Sequence, residues 1–224
     1  MNVKIIKVKN AETAEFAKLA TNSWIDTNIG FVNDLARLVD KLNTNIDILD
    51  VVAASNSLKK GKKSVNILLP SIGVGGYCLT KDPWFVYSLG KKNKIDLQTI
   101  KAGRIANDLM PRFTANKIYE YLDKKKIDYQ NAKIAILGLS FKSDSGDIRF
   151  TPVLPFIKDL IDNGIKNIKI YDPLVTKEDQ KKIKIKTLKS SYEVIKESDC
   201  VVIATAHKEI KKLNIEYFVK LSKN

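Results

Sequence analysis

The sequence predicts an α/β protein: a helical domain, expected to dimerise, followed by a small doubly wound parallel sheet. Two observations carry this. Apolar residues recur at helical spacing through most of residues 11–123, and from about residue 130 short apolar runs alternate with helical segments. A third, a length of 224 residues of which 44% are hydrophobic, allows a packed core and argues against disorder.

Residues 3–8 alternate apolar and polar side chains and read as a short strand. From Ala11 to about Lys41 the pattern turns helical, with Phe16, Leu19, Ala20, Ile25, Ile29, Val32, Leu35, Ala36 and Val39 spaced three and four apart. A shorter helix is expected near 46–54. The lysine-rich stretch 55–64 reads as a solvated loop or frayed helix end. VNILLP (65–70) is strand-like and breaks into a glycine-rich turn. Residues 84–92 look helical, and a long helix runs from about 97 to 123 with Pro111 as a kink or boundary. At Ala132 the character changes. AKIAILGL is a continuous apolar run, typical of a buried parallel strand. TPVLPFIKDLIDNG is a helix with a glycine stop, and NIKIYDP is a second strand. KTLKSSYEVIKESD contains another helix, CVVIATA is a third strand, and a short helix covers 214–222. One further strand is expected of such a sheet. A layer of amphipathic helices joined to a small α/β unit leaves apolar faces uncovered, and pairing about a two-fold axis is the commonest remedy.

Net charge is +14, almost all of it from lysine, since Arg37, Arg104, Arg112 and Arg149 are the only arginines. Lysine is spread through every segment and no nucleic-acid motif is present, so a nucleic-acid partner is not expected. A positive field also suits anionic small ligands. No apolar run reaches the roughly 18 residues of a membrane span, and the N-terminus lacks the apolar stretch of a secretory signal, so a cytoplasmic protein without membrane contact is expected. Cys78 and Cys200, far apart, make neither a disulfide framework nor a four-cysteine zinc site, and a single histidine, His207, argues against a histidine-rich metal site.

Three segments carry chemistry. In Gly73–Pro83, glycines let the backbone approach a ligand, and Cys78 follows them near a helix start, where unpaired N–H groups and the positive end of the dipole favour an anion. Lys81 adds charge, and Asp82 lies four residues on. The helix begins somewhere between Tyr77 and Asp82, because Pro83 is tolerated only near a start. The bland alternative is a glycine turn with a cysteine that merely packs. Cys200, opening an apolar run, is read as core. Lys18 and Asn22 stand one turn apart on the first helix, where an ammonium and a carboxamide can both donate to one oxygen; spacing alone favours a solvated polar stripe. The third segment, Phe141–Pro152, follows the first strand of the sheet, at the end where such sheets bind ligands, and brings Lys142 and Arg149 as phosphate partners. No G-x-G-x-x-G dinucleotide fingerprint occurs anywhere.

AEFAKLATN, GVGGYCLTKDPWF and GLSFKSDSGDIRFTP, in this order, together with RIANDLMPRF, resemble the UDP-glucose/GDP-mannose dehydrogenase family of nucleotide-sugar dehydrogenases. The branch most similar acts on UDP-N-acetylmannosamine. The resemblance implies an N-terminal NAD domain, an all-helical middle domain that forms a homodimer, and a Rossmann-like C-terminal domain for UDP. It makes residues 1–10 a remnant strand of the NAD domain, 11–123 the helical dimerisation domain, and 124–224 an incomplete UDP-binding domain. The NAD-binding part would then be lost, removed or encoded separately. By the same resemblance Cys78, Lys18, Asn22 and Asp82 are catalytic. Leu69, Pro70, Ser71, Gly73, Gly75, Phe141 and Lys142 contact the UDP-sugar, Lys81 and Arg149 lie near NAD, and no metal is used. The alternative is a non-catalytic remnant that dimerises and binds UDP-sugar.

Overall fold

In a computed structural model, residues 5–42, 44–61, 63–184 and 187–223 are described. They fall into two compact units: residues 1–70 with 78–107, and residues 71–77 with 108–224. The dividing line therefore runs inside the long fourth helix, not at residues 123 and 124, and the glycine loop 71–77 belongs with the sheet.

The first unit is helical. Helix α1 (Ala11–Lys41) starts on Asn10, whose side chain accepts the Thr13 N–H at 3.0 Å. Helix α2 (Ile48–Ser57) starts on Asp47 in the same way. A two-residue hairpin, β1 (Lys59–Lys60) and β2 (Lys63–Ser64), stands where a loop or frayed helix end was expected. Helix α3 (Tyr77–Lys92) and the first part of α4 (Gln98–Lys125) complete the unit. Helices α1 and α4 cross with their backbones in contact. A Cβ at Gly30 would lie 2.5 Å from the Gly103 carbonyl oxygen, so no larger residue fits either side of this crossing.

Helix α1 buries its polar side. Asn22, Ser23, Asp26, Asn28 and Asn33 are buried, whereas Phe16, Trp24, Phe31 and Leu38 are each at least half exposed. The helix thus turns a polar stripe toward its own unit and an apolar stripe outward.

Two strand expectations are corrected. Residues 5–8 form no strand, and Ile5 and Ile6 are exposed; the rest of that expectation, residues 3 and 4, lies outside the described residues. VNILLP is extended but enters no ladder. Side-chain amides take the place of a neighbouring strand: Asn56 bonds both the N–H and the carbonyl of Ile67 at 2.8 Å. Asn28 accepts the Leu68 N–H at 2.8 Å and donates to the Asn66 carbonyl at 2.7 Å.

The second unit is the doubly wound sheet. Strands β3 (Lys133–Leu137), β4 (Asn167–Tyr171) and β5 (Cys200–Ile203) are parallel in the order β4-β3-β5. Both faces of β3 are buried, which explains its unbroken apolar run. Ile134 and Ile136 pack with Ala115, Ile118 and Leu122 of α4 and with Phe156 and Leu160 of α5 (Val153–Asp162). Ala135 and Leu137 pack on the other side with Val194 and Ile195 of α7 (Ser191–Ile195) and Ile210 of α8 (Lys208–Lys211). Helix α6 (Lys177–Ile183) was not expected; none of its residues is buried. It rests on its N-cap Thr176, whose hydroxyl accepts the Asp179 N–H at 3.1 Å, and on acidic residues in its first turn. Helix α9 (Ile215–Leu221) closes the described chain.

Candidate active site

In the helical unit the polar stripe of α1 meets the first turns of α3. Lys18 Nζ donates to Asn22 Oδ1 at 3.3 Å, and Asn22 Nδ2 donates to Asp82 Oδ2 at 2.5 Å. Asn22 and Asp82 are buried, and Lys18 reaches in from the surface. Asp82 thereby sets which way the amide points, with its oxygen toward the ammonium. Helix α3 begins at Tyr77, so Cys78 sits in its first turn, one turn before Asp82, with an exposed thiol. Cys200 is a strand residue whose thiol is pushed up to about 11, chiefly by burial and then by Asp199.

Pro83 stands inside α3, and its missing N–H frees the Leu79 carbonyl. Arg104 Nη1 donates to that carbonyl at 3.2 Å and to Asp26 Oδ1 at 2.5 Å. Asn107 Nδ2 donates to the same Asp26 oxygen at 2.8 Å, and Asn33 donates to Asn107 at 2.9 Å. Sequence reasoning missed this buried network. RIANDLMPRF carried it, but its partners lie some 80 residues away.

In the second unit the glycine loop lies on Phe141. A Cβ at Gly75 would come within 2.4 Å of the Phe141 Cβ, and one at Gly76 within 2.8 Å of its ring. The Gly76 N–H donates to the Arg149 carbonyl at 2.9 Å, and Ser71 Oγ donates to the Gly73 carbonyl at 2.9 Å. Glycine at 76 (φ +81°) is therefore required both by backbone conformation and by close approach. Ser71 is exposed and Gly73 half-buried, Gly75 is buried against Phe141, and Lys142 is exposed on the same loop as Phe141. Leu69, exposed, and Pro70, half-buried, belong to the helical unit.

Arg149 is held by Asp147: Nε lies 2.9 and 3.0 Å from its two oxygens and Nη2 2.5 Å from Oδ2. The guanidinium also lies over the Tyr77 ring at 5.2 Å. Its hydrogen bonds hold the Asp147 carboxyl below the usual carboxylate range. A cavity of about 580 Å³ opens here, lined by Tyr77, Asp147, Arg149, Phe150 and Lys182. A larger one, about 770 Å³ beyond β4, is walled by Pro173, Leu188 and surface lysines, with none of the predicted site residues among them. Lys81 lies over Phe85 at 5.1 Å.

The turn after β3, where a doubly wound sheet would hold a dinucleotide, is filled by protein. Gly138 (φ +89°) closes onto Thr205, whose Cβ would lie 2.5 Å from an added methyl, and Asp172 accepts the next two N–H groups, of Leu139 and Ser140. That turn leaves no room for a dinucleotide, and Arg149, bonded to Asp147, keeps an exposed side chain. No group of three or more potential metal ligands occurs among the described residues, and no helix there is long and apolar enough to cross a membrane.

A helical unit followed by a small parallel sheet matches the central and C-terminal domains of solved dehydrogenase structures. The chain belongs to the UDP-glucose/GDP-mannose dehydrogenase family: residues 12–109 match its central domain and residues 135–224 its UDP-binding domain. It is 36% identical over 211 residues to UDP-N-acetyl-D-mannosamine dehydrogenase of Pyrococcus horikoshii, which covers 94% of this chain and 46% of that protein. The solved structure of the UDP-D-ManNAc dehydrogenase from Pyrococcus horikoshii superposes with a TM-score of 0.80 at 34% identity, over 96% of this chain and 47% of that one. An NDP-N-acetyl-D-galactosaminuronic acid dehydrogenase from Methanosarcina mazei Go1 gives 0.83 at 27% identity, over 95% and 45%. The chain spans about half the length of the relatives it matches.

Proposed function

We propose that the chain is the central and C-terminal portion of an NAD-dependent UDP-sugar 6-dehydrogenase, acting on UDP-N-acetyl-D-mannosamine, with Cys78 as the covalent nucleophile. The observation that carries this is the Lys18–Asn22–Asp82 hydrogen-bond chain on helices α1 and α3, one turn from an exposed Cys78 at a helix start.

Oxidation of the sugar's C6 alcohol removes a hydride from the carbon and a proton from the hydroxyl oxygen, leaving an aldehyde. An aldehyde does not readily yield a second hydride, so the Cys78 sulfur adds to its carbon, and the carbonyl electrons move onto oxygen. The resulting thiohemiacetal is tetrahedral and again carries a C–H bond that can leave as hydride. Its oxidation gives a thioester, which water cleaves to the carboxylate, returning the thiol. Lys18 and Asn22 stabilise the oxygen wherever it carries negative charge. Asp82 holds the Asn22 amide and orients Lys18 or water for the hydrolysis. Ser71, Gly73, Gly75, Phe141 and Lys142 contact the nucleotide sugar, as do Leu69 and Pro70. The family uses NAD as hydride acceptor, and here residues outside this chain have to hold it.

Calorimetry on the chain should therefore register UDP and not NAD. Formation of NADH from a UDP-sugar by this chain alone, abolished by Cys78→Ser, would overturn the assignment of the cofactor site. The second reading is a remnant that binds UDP-sugar without catalysis. Adding a separately produced NAD-binding half from a relative distinguishes the two, since only the first reading expects activity to appear.

The outward apolar stripe of α1 supports a homodimer built on the helical unit. Light scattering at micromolar concentration should give twice the chain mass; a monodisperse, folded monomer would contradict it.

A further inference from the structure

His207, the single histidine of the chain, has no part in the proposed chemistry, yet it is bonded to the loop that carries Phe141 and Lys142. It is 1% exposed, at the N-terminal edge of α8. Its Nδ1 accepts the backbone N–H of Asp144 at 2.9 Å. A ring nitrogen that accepts an N–H bond carries no proton, so the imidazole is neutral with its proton on Nε2. Nε2 lies 3.1 Å from Asp172 Oδ2 and 3.2 Å from Ser140 Oγ. The same Asp172 oxygen accepts the N–H groups of Leu139 at 2.7 Å and Ser140 at 3.1 Å. Ser140 Oγ donates to the Lys142 carbonyl at 3.1 Å, and Thr205 Oγ1 donates to the Ser140 carbonyl at 2.5 Å. The turn Ser140–Asp144 is thus tied at both ends to buried side chains, and Asp144 is held at φ +57°.

We propose that His207 is the positioning residue of the UDP-binding surface: its neutral ring clamps the Ser140–Asp144 turn and so sets where Phe141 and Lys142 meet the nucleotide. This rests on the reading that those two residues contact UDP. Asp172 is the carboxylate bonded to the ring. The Asp144 carboxylate accepts the Lys208 N–H at 2.8 Å and lies 3.8 Å from the Lys208 ammonium. Glu209 is taken up by the Tyr171 hydroxyl, and Lys142 is exposed on the turn itself. A proton on Nδ1 would set a ring N–H against the Asp144 N–H, two donors with no acceptor between them.

One histidine gives one set of imidazole nitrogen signals, so NMR of the whole chain reads the tautomer directly. The Nε2–H form is expected at neutral pH, and the Nδ1–H form would overturn the proposal. His207→Ala should speed amide exchange across 140–144 and weaken UDP binding by about tenfold. His207→Gln keeps a donor and an acceptor. It should recover most of the affinity, and a folded glutamine variant that binds UDP about ten times more weakly than the parent would sink the idea even if the alanine variant fails to fold. If the parent and His207→Ala bind UDP equally, the clamp has no bearing on the surface and the proposal fails. If the parent binds no UDP while exchange in 140–144 still responds to the substitution, it is the nucleotide reading that has failed, and with it the purpose assigned to the clamp.

Discussion

Arg104→Ala is expected to cost about 3–5 kcal/mol of folding free energy, a large share of the total of an ordinary domain. The pair it breaks is fully enclosed, with Arg104 1% and Asp26 0% exposed. Removing the guanidinium leaves a carboxylate in a low-dielectric setting and also takes the hydrogen bond from the Leu79 carbonyl, which Pro83 cannot supply. Arg104→Lys keeps the charge but not the guanidinium Nη1 that bonds both Asp26 Oδ1 and the Leu79 carbonyl, so it should fall between the parent and the alanine variant. Denaturant titration checks this, and a loss below about 1 kcal/mol for the alanine variant would show that the pair is not what holds α1, α3 and α4 together. The consequence reaches the proposed chemistry. Asn22 and Asp26 are one turn apart on α1, and Leu79 follows Cys78 on α3. Loosening Arg104 should therefore disturb the Asn22–Asp82 contact before the sheet feels anything.

Cys78 is expected to alkylate at least a hundredfold faster than Cys200 near pH 8. With its thiol pushed up to about 11, Cys200 is thiolate in only about one molecule in a thousand at that pH, and it lies half-buried in β5. Cys78 is open to solvent. The labelling rate of Cys200 should keep rising tenfold per pH unit well past pH 9, which identifies the slow site independently of mass mapping. Equal rates, or Cys200 first, would remove the main ground for Cys78 as nucleophile.

The sheet was readable from sequence because burial on both faces of β3 leaves an unmistakable apolar run, and the glycine at 164 ends α5 as its position suggested. Helix α6 was not, because it buries nothing and so has no apolar period; its signal was the Thr176-x-x-Asp179 cap alone. VNILLP misled for the opposite reason. Its composition suits a strand, but asparagine side chains from two helices satisfy its backbone, and side-chain amides leave no periodic trace. At the site, Lys18 with Asn22 and Cys78 with Asp82 each lie one helical turn apart, but spacing alone favours a solvated stripe for the first pair, and the family resemblance is what draws the four together. The bond from Asn22 to Asp82 joins positions 60 apart, and the Asp26–Arg104 and His207–Asp144 contacts are likewise long-range. Such pairings are products of packing, and a single sequence carries no local mark of them.

The inside-out character of α1 bears on how any stability of this chain has to be read. If the stripe of Phe16, Trp24, Phe31 and Leu38 is where two copies meet, folding is a second-order process, and dilution acts as a denaturant. The melting midpoint then climbs with the logarithm of chain concentration. A substitution on that stripe would look harmless in a concentrated sample and ruinous in a dilute one. Free energies for variants such as Arg104→Ala are comparable only at matched molarity.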